Sequence, residues 1–266
     1  MAAPRRERRP EGDPGGWEPG AALYGNFPNY SRFHPPEGRV RLLPPALLGR
    51  LFPAGPSPLL GLDVGCNSGE LSVALYRHFL GLQENEASLG QPVVGKDLNL
   101  LCCDIDAALI ERAERCSPFP DSISYATLDV MDPGARDLFL SSYLSRFSRS
   151  TFDIGFCMSV TMWIHLNHGD NGLVEFLSYL SSLCKYLLIE PQPWKCYRAA
   201  ARRLRKLGRR DFDHFHSLAI NGDMVARTIQ ILTKDGAMEL VCSFGNTSWN
   251  RSLLLFKSNR LSQKHL

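Results

Sequence analysis

The stretch Leu59 to Leu75, LLGLDVGCNSGELSVAL, constrains the fold of this chain more than any other. It reads as a buried strand, a glycine-bracketed turn and the start of an amphipathic helix. Leu59, Leu60, Leu62 and Val64 make an apolar run short enough for a strand covered on both faces. Gly65 and Gly69 let the backbone turn sharply and approach a ligand with no Cβ in the way. Strand, turn and helix in that order make the turn a candidate nucleotide cradle. It is not the dinucleotide fingerprint GxGxxG, because Asn67 stands where the middle glycine would be. Asp63 lies inside the strand instead, giving Asp-x-Gly-x-Asn-x-Gly.

Strand and helix periods alternate from there on. Leu71, Ala74, Leu75, His78 and Phe79 share one helical face, residues 83–97 read as a polar loop, and Leu98 to Asp104 is the second strand. That strand ends in acids, Asp104 and Asp106. Asp104 lies 39 residues after Gly65, against about 20 in the usual dinucleotide unit, and the loop at 83–97 accounts for most of the excess. An acid at this tip typically holds a ribose hydroxyl pair, and Asp104 is the better candidate. Helices are expected at Ala107 to Arg115, 134–147, Gly172 to Lys185, Lys195 to Arg210 and near 223–234. Strands are expected at Ile123 to Leu128 (ending at Asp129-Val130), Phe152 to Met158, Tyr186 to Ile189, Ala237 to Phe244 and Leu253 to Lys257. The pattern predicts an α/β fold: a mostly parallel, Rossmann-like sheet with helices on both faces, a C-terminal antiparallel hairpin, and ligands along one strand edge.

One domain over 21–258 suits a chain of 266 residues, with a disordered basic, Pro-rich tail at 1–20 and a short tail at 259–266. Hydrophobic content of 44% fits a globular core, and 21% charged residues is too few for a disordered chain. The net charge of +3 does not by itself argue for nucleic acid. Eight cysteines without a C-x-x-C pair read as free, mostly buried thiols of a reducing compartment. No apolar run reaches the ~18 residues of a membrane span, and the basic N-terminus lacks the apolar core of a secretory signal. A cytoplasmic or nuclear monomer with no membrane partner is expected.

Between tail and turn, residues 21–58 form an arm. Tyr24 to His34, YGNFPNYSRFH, packs four aromatics and two asparagines into eleven residues with no regular period. Such aromatics either staple a lid to the core or stack on a planar ligand. Arg39 to Leu43 followed by Pro44-Pro45-Ala46-Leu47-Leu48 predicts a short helix before the first strand.

Three features lie at or beyond the expected strand tips: CMSVTMWIHLNHGD (157–170), EPQPW (190–194) and the helix from Lys195 to Arg210, which holds eight Lys or Arg and no acid. Arg198, Arg202, Arg205 and Arg209 recur at helical spacing on one face, an electrostatic footprint for a polyanion. His165, His168, His214 and His216 are not spaced like a known zinc site, and no metal is expected. The absence of a serine elbow or a P-loop disfavours hydrolase and kinase readings.

The turn resembles the first motif of class I S-adenosylmethionine (SAM) methyltransferases. SVTMWIHLNHGD followed by IEPQPWKCY resembles the signature of the bicoid-interacting-protein-three family, SAM-dependent RNA methyltransferases that cap a 5′ phosphate. The YGNFPNY arm and the GCNSG turn match as well, so the resemblance spans about residues 24 to 257. The WKCYRAAARRLRK helix is most similar to the RNA 5′-monophosphate methyltransferase branch, which acts on transfer RNA and microRNA precursors. The resemblance implies cofactor contacts at Arg39, Asn67, Asp104, Asp129-Val130 and Met158, with Gly65, Gly69 and Ile105 completing the set. Phe27-Pro28 interrupts the aromatic arm and the loop at 83–97 is long for a binding site. Neither touches a motif residue.

A 5′-monophosphate loses its second proton near pH ~6, so its oxygen is already nucleophilic at neutral pH. Methylating it needs in-line alignment and a phosphate grip, not a strong general base. His165, Asn167 and Gln192 are the expected grips, with Arg198 nearby. Tyr24, Tyr30 and Trp194 are expected to stack on the terminal base, Asn26 and Arg32 to contact RNA, and the face of Arg198, Arg202 and Arg205 to track its backbone. Trp163 reads as core. The expected activity is SAM-dependent O-methylation of the 5′-monophosphate of small RNAs. The alternative is a non-catalytic RNA-binding protein on the same scaffold, and a weaker third is methylation of a protein or metabolite.

Overall fold

A computed structural model describes residues 22–45, 47–54, 57–82 and 97–262. The tail expected at 1–20, most of the loop at 83–97 and the last four residues lie outside them.

Three short helices precede the sheet, α1 (Tyr30–Phe33), α2 (Glu37–Val40) and α3 (Leu47–Leu51). Strands and helices then alternate: β1 (Leu59–Val64), α4 (Glu70–Leu80), β2 (Leu98–Asp104), α5 (Ala107–Cys116), β3 (Ile123–Thr127), α6 (Pro133–Ser145) and β4 (Phe152–Met158). After them come α7 (Thr161–Leu183), β5 (Cys184–Glu190), α8 (Trp194–Lys206), α9 (Met224–Thr233), β6 (Met238–Asn246), β7 (Ser252–Ser258) and α10 (Asn259–Ser262). The seven strands form one sheet in the order β3-β2-β1-β4-β5-β7-β6. β1 to β5 run parallel, while β7 is antiparallel to both β5 and β6.

The period-two pattern of the strands explains the two cores. In β2, Leu98, Leu100 and Cys102 pack with Phe79 and Tyr76 of α4, whereas Leu101 and Cys103 face the other side with Leu140 of α6 and Phe176 of α7. Aspartate caps set the starts of three helices. Asp106, Asp132 and Asp223 each accept two backbone N–H bonds at the head of α5, α6 and α9.

Four boundaries differ from expectation. The arm, where no period was visible, holds α1 and α2. The first residues of the tail expected at 259–266 form α10. Thr161–His168 are already helical, because α7 runs through a kink at Gly169 (φ 69°, ψ −172°) and only its second half carried a clear sequence period. The basic helix ends at Lys206, and Leu207 and Gly208 (φ 70°) close it, so Arg209 and Arg210 lie beyond the helix.

Candidate active site

The C-terminal ends of β1, β2 and β4 open on a cleft of about 750 Å³, counted to its open mouth. Its walls bring together Gly65, Asn67, Asp104, Ile105, Asp129, Val130 and Met158, and from the arm Tyr24, Asn26 and Tyr30. Residues that are far apart in the chain meet here because parallel strands deliver all their tips to one edge.

The turn is built around positive backbone angles. Gly65 has φ 74°, Asn67 φ 53° and Gly69 φ 80°. A side chain at Gly65 would run into Val160, and a Cβ at Gly69 would lie 2.8 Å from the Tyr125 hydroxyl. Asn67 tolerates the left-handed region because its side chain bonds locally, accepting from the Ser68 N–H at 2.9 Å. Its Nδ2 donates to the Phe27 carbonyl at 3.1 Å, tying arm to turn.

Asp104 locks the turn from the neighbouring strand, accepting the N–H of Asn67 at 2.9 Å and that of Asp106 at 3.0 Å. Burial holds its carboxyl above the usual carboxylate range. Asp63, within β1, accepts from Ser72 Oγ at 2.6 Å and is pushed up to about 6, chiefly by burial. Asn26 Nδ2 donates to Asp106 at 2.8 Å, while its buried Oδ1 has no partner.

Behind the cleft lies a charged cluster. Arg39 Nε bonds Glu190 at 2.5 Å, and Arg251 Nη1 lies 3.7 Å from the same carboxylate. Trp249 Nε1 donates to Glu190 at 3.0 Å. Both guanidiniums also donate to the hydroxyls of Tyr30 and Ser159. Ser159, at φ 64°, is a non-glycine residue held in a costly backbone conformation at the cleft wall.

Several expected site residues stand elsewhere than expected. His165 is fully buried, with Nδ1 3.1 Å from the Tyr197 hydroxyl and Nε2 2.7 Å from Asp170, so both ring nitrogens are engaged away from the cleft. Burial lowers its pKa. Gln192 is buried too. Its Oε1 accepts from Thr161 Oγ1 and the Met162 N–H, and its Nε2 donates to the Ser159 carbonyl. Asn167 donates to the carbonyls of Leu23 and Trp163. These three expected grips have their donors spent on fastening α7, β5 and the arm, and none lines the cleft.

Arg39 is 1% exposed and sits behind the wall, touching the cleft only through Tyr30 and Ser159. Gly69 serves as N-cap of α4, not as lining. Trp194 is no free platform, because its ring already stacks with those of Tyr197 and Phe215, at centroid distances of 4.7 and 6.0 Å. The Tyr30 ring likewise stacks on His34 at 4.7 Å. Trp163 is buried, as a core residue would be, yet one edge of it lines the cleft. Arg32 is exposed on α1, and Arg198, Arg202 and Arg205 are exposed on α8, all outside the cleft.

Sequence reasoning passed over Ser159, His168 and Arg251. His168 lines the cleft, three residues beyond the buried His165. Helical phase could have separated the two histidines. Nothing in the local sequence pointed to Arg251, which reaches the cluster from β7's end of the sheet.

The family profile described as Bicoid-interacting protein 3 (Bin3) matches residues 152–258. The RNA 5′-monophosphate methyltransferase of Bos taurus is 67% identical over 250 residues, covering 93% of this chain and 85% of that protein. The pre-miRNA 5′-monophosphate methyltransferase of Xenopus laevis is 62% identical over 249 residues, covering 91% of this chain and 95% of that protein. The chain belongs to the bicoid-interacting protein 3 family.

A more distant similarity is to the U6 snRNA methylphosphate capping enzyme Amus of Drosophila melanogaster, 27% identical over 61% of this chain and 49% of that protein. Among solved structures, the N-methyltransferase NodS of Bradyrhizobium japonicum WM9 with S-adenosyl-L-homocysteine aligns with a TM-score of 0.52 at 16% identity, covering 90% and 98% of the two chains. The magnesium protoporphyrin IX methyltransferase ChlM of Synechocystis PCC 6803 with bound SAM aligns with a TM-score of 0.51 at 13% identity, covering 93% and 100%. The sheet of this bicoid-interacting protein 3 family member is that of the class I SAM methyltransferases.

The cleft fits that cofactor. Asp104 keeps lone pairs for a ribose at the β2 tip, Ile105, Leu128 and Val130 offer apolar walls for a planar base, and the unpartnered Asn26 Oδ1 awaits a donor. Among the described residues, no group of His, Cys, Asp and Glu is placed to hold a metal, and no helix is long and apolar enough to cross a membrane.

Proposed function

We propose that this chain transfers a methyl group from SAM to the 5′-monophosphate of small RNAs, such as transfer RNA or microRNA precursors. The reading is carried by the meeting of the glycine turn, Asp104 and the head of α7 at one cleft, in a chain whose close relatives are named for that reaction. SAM, when bound, supplies a sulfonium methyl; its transfer to a dianionic phosphate oxygen makes one O–C bond, breaks one S–C bond and releases no proton. Asn67, Asp104 and the apolar wall would hold the cofactor, and the Asn67 Nδ2 bond to the Phe27 carbonyl fixes the arm beside them. No buried thiol serves as nucleophile: burial raises the pKa values of Cys66, Cys103 and Cys157, which keeps them protonated.

Labelled SAM and matched RNAs bearing or lacking the 5′ phosphate test the reaction. Label on the phosphorylated RNA alone is expected. Equal labelling of both would mean ribose or base methylation, and none on either would favour the non-catalytic RNA-binding reading.

The exposed arginines of α8 support a second element of the proposal, that the RNA backbone runs along this helix. Its opposite face, Tyr197, Ala200, Ala201 and Leu204, is buried, so the charges stay on the outer surface. Replacing Arg198, Arg202 and Arg205 together by alanine is expected to weaken RNA binding and to flatten its log–log salt dependence by about 2 to 3 units. An unchanged slope would place the RNA elsewhere.

A further inference from the structure

The cluster behind the cleft holds more positive charge than its own carboxylate balances. Arg39 and Arg251 are 1% and 8% exposed and share Glu190. His34, stacked on Tyr30, is pushed down to about 4 by burial and then by the two guanidiniums, so it is neutral at pH 7. Arg251 Nε is buried without a hydrogen-bond partner. A buried cation left incompletely paired is costly unless an anion arrives to complete it.

Two side chains carry this charge to the cleft wall, and they differ in one proton. The Ser159 hydroxyl accepts from both guanidiniums and donates to Glu190, so its proton is spent inward. The Tyr30 hydroxyl accepts from Arg39 Nη2 at 3.1 Å and from Arg251 Nη1 at 2.9 Å. No acceptor among the described residues takes its own proton. A phenol has one proton beside its acceptor lone pairs. With the lone pairs facing two guanidiniums, the O–H turns away from them, and the cations strengthen it as a donor.

The backbone beside it agrees. Ser159 is left-handed and Val160 right-handed (φ −105°, ψ −36°), the pairing that forms an anion-binding nest of N–H groups. The N–H groups of Val160 and Thr161 have no acceptor among the described residues, and Val160 lines the cleft.

We propose that Tyr30 receives the substrate's 5′-phosphate, donating its hydroxyl proton to a phosphate oxygen, and that Arg251 with Arg39 is the positioning pair that aims this donor. The inference rests on the reaction proposed above and names the residue that reads its substrate. It also has a chemical reason. The attacking oxygen must keep its electron density, and a neutral O–H backed by guanidiniums grips a dianion without placing a full cation on the nucleophile.

Tyr30→Phe removes one oxygen and leaves the ring on His34. The test compares binding and methylation of a short 5′-phosphorylated oligoribonucleotide with those of its dephosphorylated twin, on the full chain. In Tyr30→Phe the binding preference for the phosphorylated RNA is expected to fall about tenfold or more and kcat/KM to fall with it, as when a charge-assisted hydrogen bond is lost. SAM affinity is measured in parallel, because Tyr30 lines the same cleft: a loss of SAM affinity as large as the loss of phosphate preference would put Tyr30 on the cofactor and overturn the proposal. Arg251→Lys, which keeps the charge and loses the fork, is expected to give an intermediate loss of the same preference. A merely structural Tyr30 would weaken both RNAs equally; an unchanged phosphate preference in Tyr30→Phe therefore overturns the proposal. If the wild-type chain labels no RNA, the proposed reaction fails, while the binding preference still decides whether Tyr30 is the phosphate seat.

Discussion

Glu190→Ala is expected to be the most destabilising single substitution in this protein, by about 3–5 kcal/mol. Glu190 is completely buried at the tip of β5 and serves Arg39, Arg251, Ser159 and the indole of Trp249. Removing it leaves two guanidiniums in an interior where neither is solvated. Glu190→Gln keeps the volume but not the charge, and is expected to cost nearly as much. Urea unfolding followed by circular dichroism measures both. A loss below about 1 kcal/mol would mean that water reaches the cluster and that the pair is worth no more than a surface one. The arm should loosen with it, because Arg39 bonds this carboxylate directly and Tyr30 bonds the two guanidiniums that it balances. Faster hydrogen exchange over residues 24–40 would report that directly.

The second large effect is expected at Asp104, on cofactor affinity. Asp104→Ala leaves the partly buried N–H groups of Asn67 and Asp106 without their acceptor, so the turn loses the brace that shapes it. It also removes the carboxylate expected to hold the ribose. Together these are expected to weaken SAM binding about 100-fold, or roughly 2.7 kcal/mol. Isothermal titration with SAM reads the loss, and RNA affinity measured in parallel should move far less. The opposite order would put the cofactor elsewhere. The raised Asp104 carboxyl also sets a sign for pH: its protonated fraction grows as pH falls, so SAM affinity should decline on acidification sooner than an ordinary carboxylate would allow. Asp104→Ala should abolish that decline.

The misplaced phosphate grips share one physical cause. His165, Asn167 and Gln192 sit in long polar motifs, and polar residues near a strand tip suggest chemistry. In the folded chain His165 and Gln192 face inward, where each must find a partner, and the half-buried Asn167 amide is spent on the carbonyls of Leu23 and Trp163. His165 finds Tyr197 and Asp170, and Gln192 finds the head of α7. Composition cannot separate a polar residue that binds substrate from one that satisfies a buried network, because both are polar residues in the same motif. The same limit applies to Trp194 and Tyr30, whose rings are occupied by neighbours 3 to 21 residues away in the chain.

What the amino-acid sequence determined by itself was the local grammar: the period-two strands, the helices between them, the glycine turn and the acid at the tip of β2. Those signals come from neighbours within one turn or one strand, so they survive without tertiary contacts. From them followed the parallel sheet, the C-terminal hairpin and the edge where the cleft opens. The tertiary structure alone decided which side chains face the cleft. Arg251 shows why: it meets Arg39's partners Tyr30 and Ser159 across 221 and 92 residues of chain, and no local period encodes that contact. Packing sets the orientation of His165 against His168 and leaves the Tyr30 proton, among the polar groups of the cluster, without an acceptor of its own.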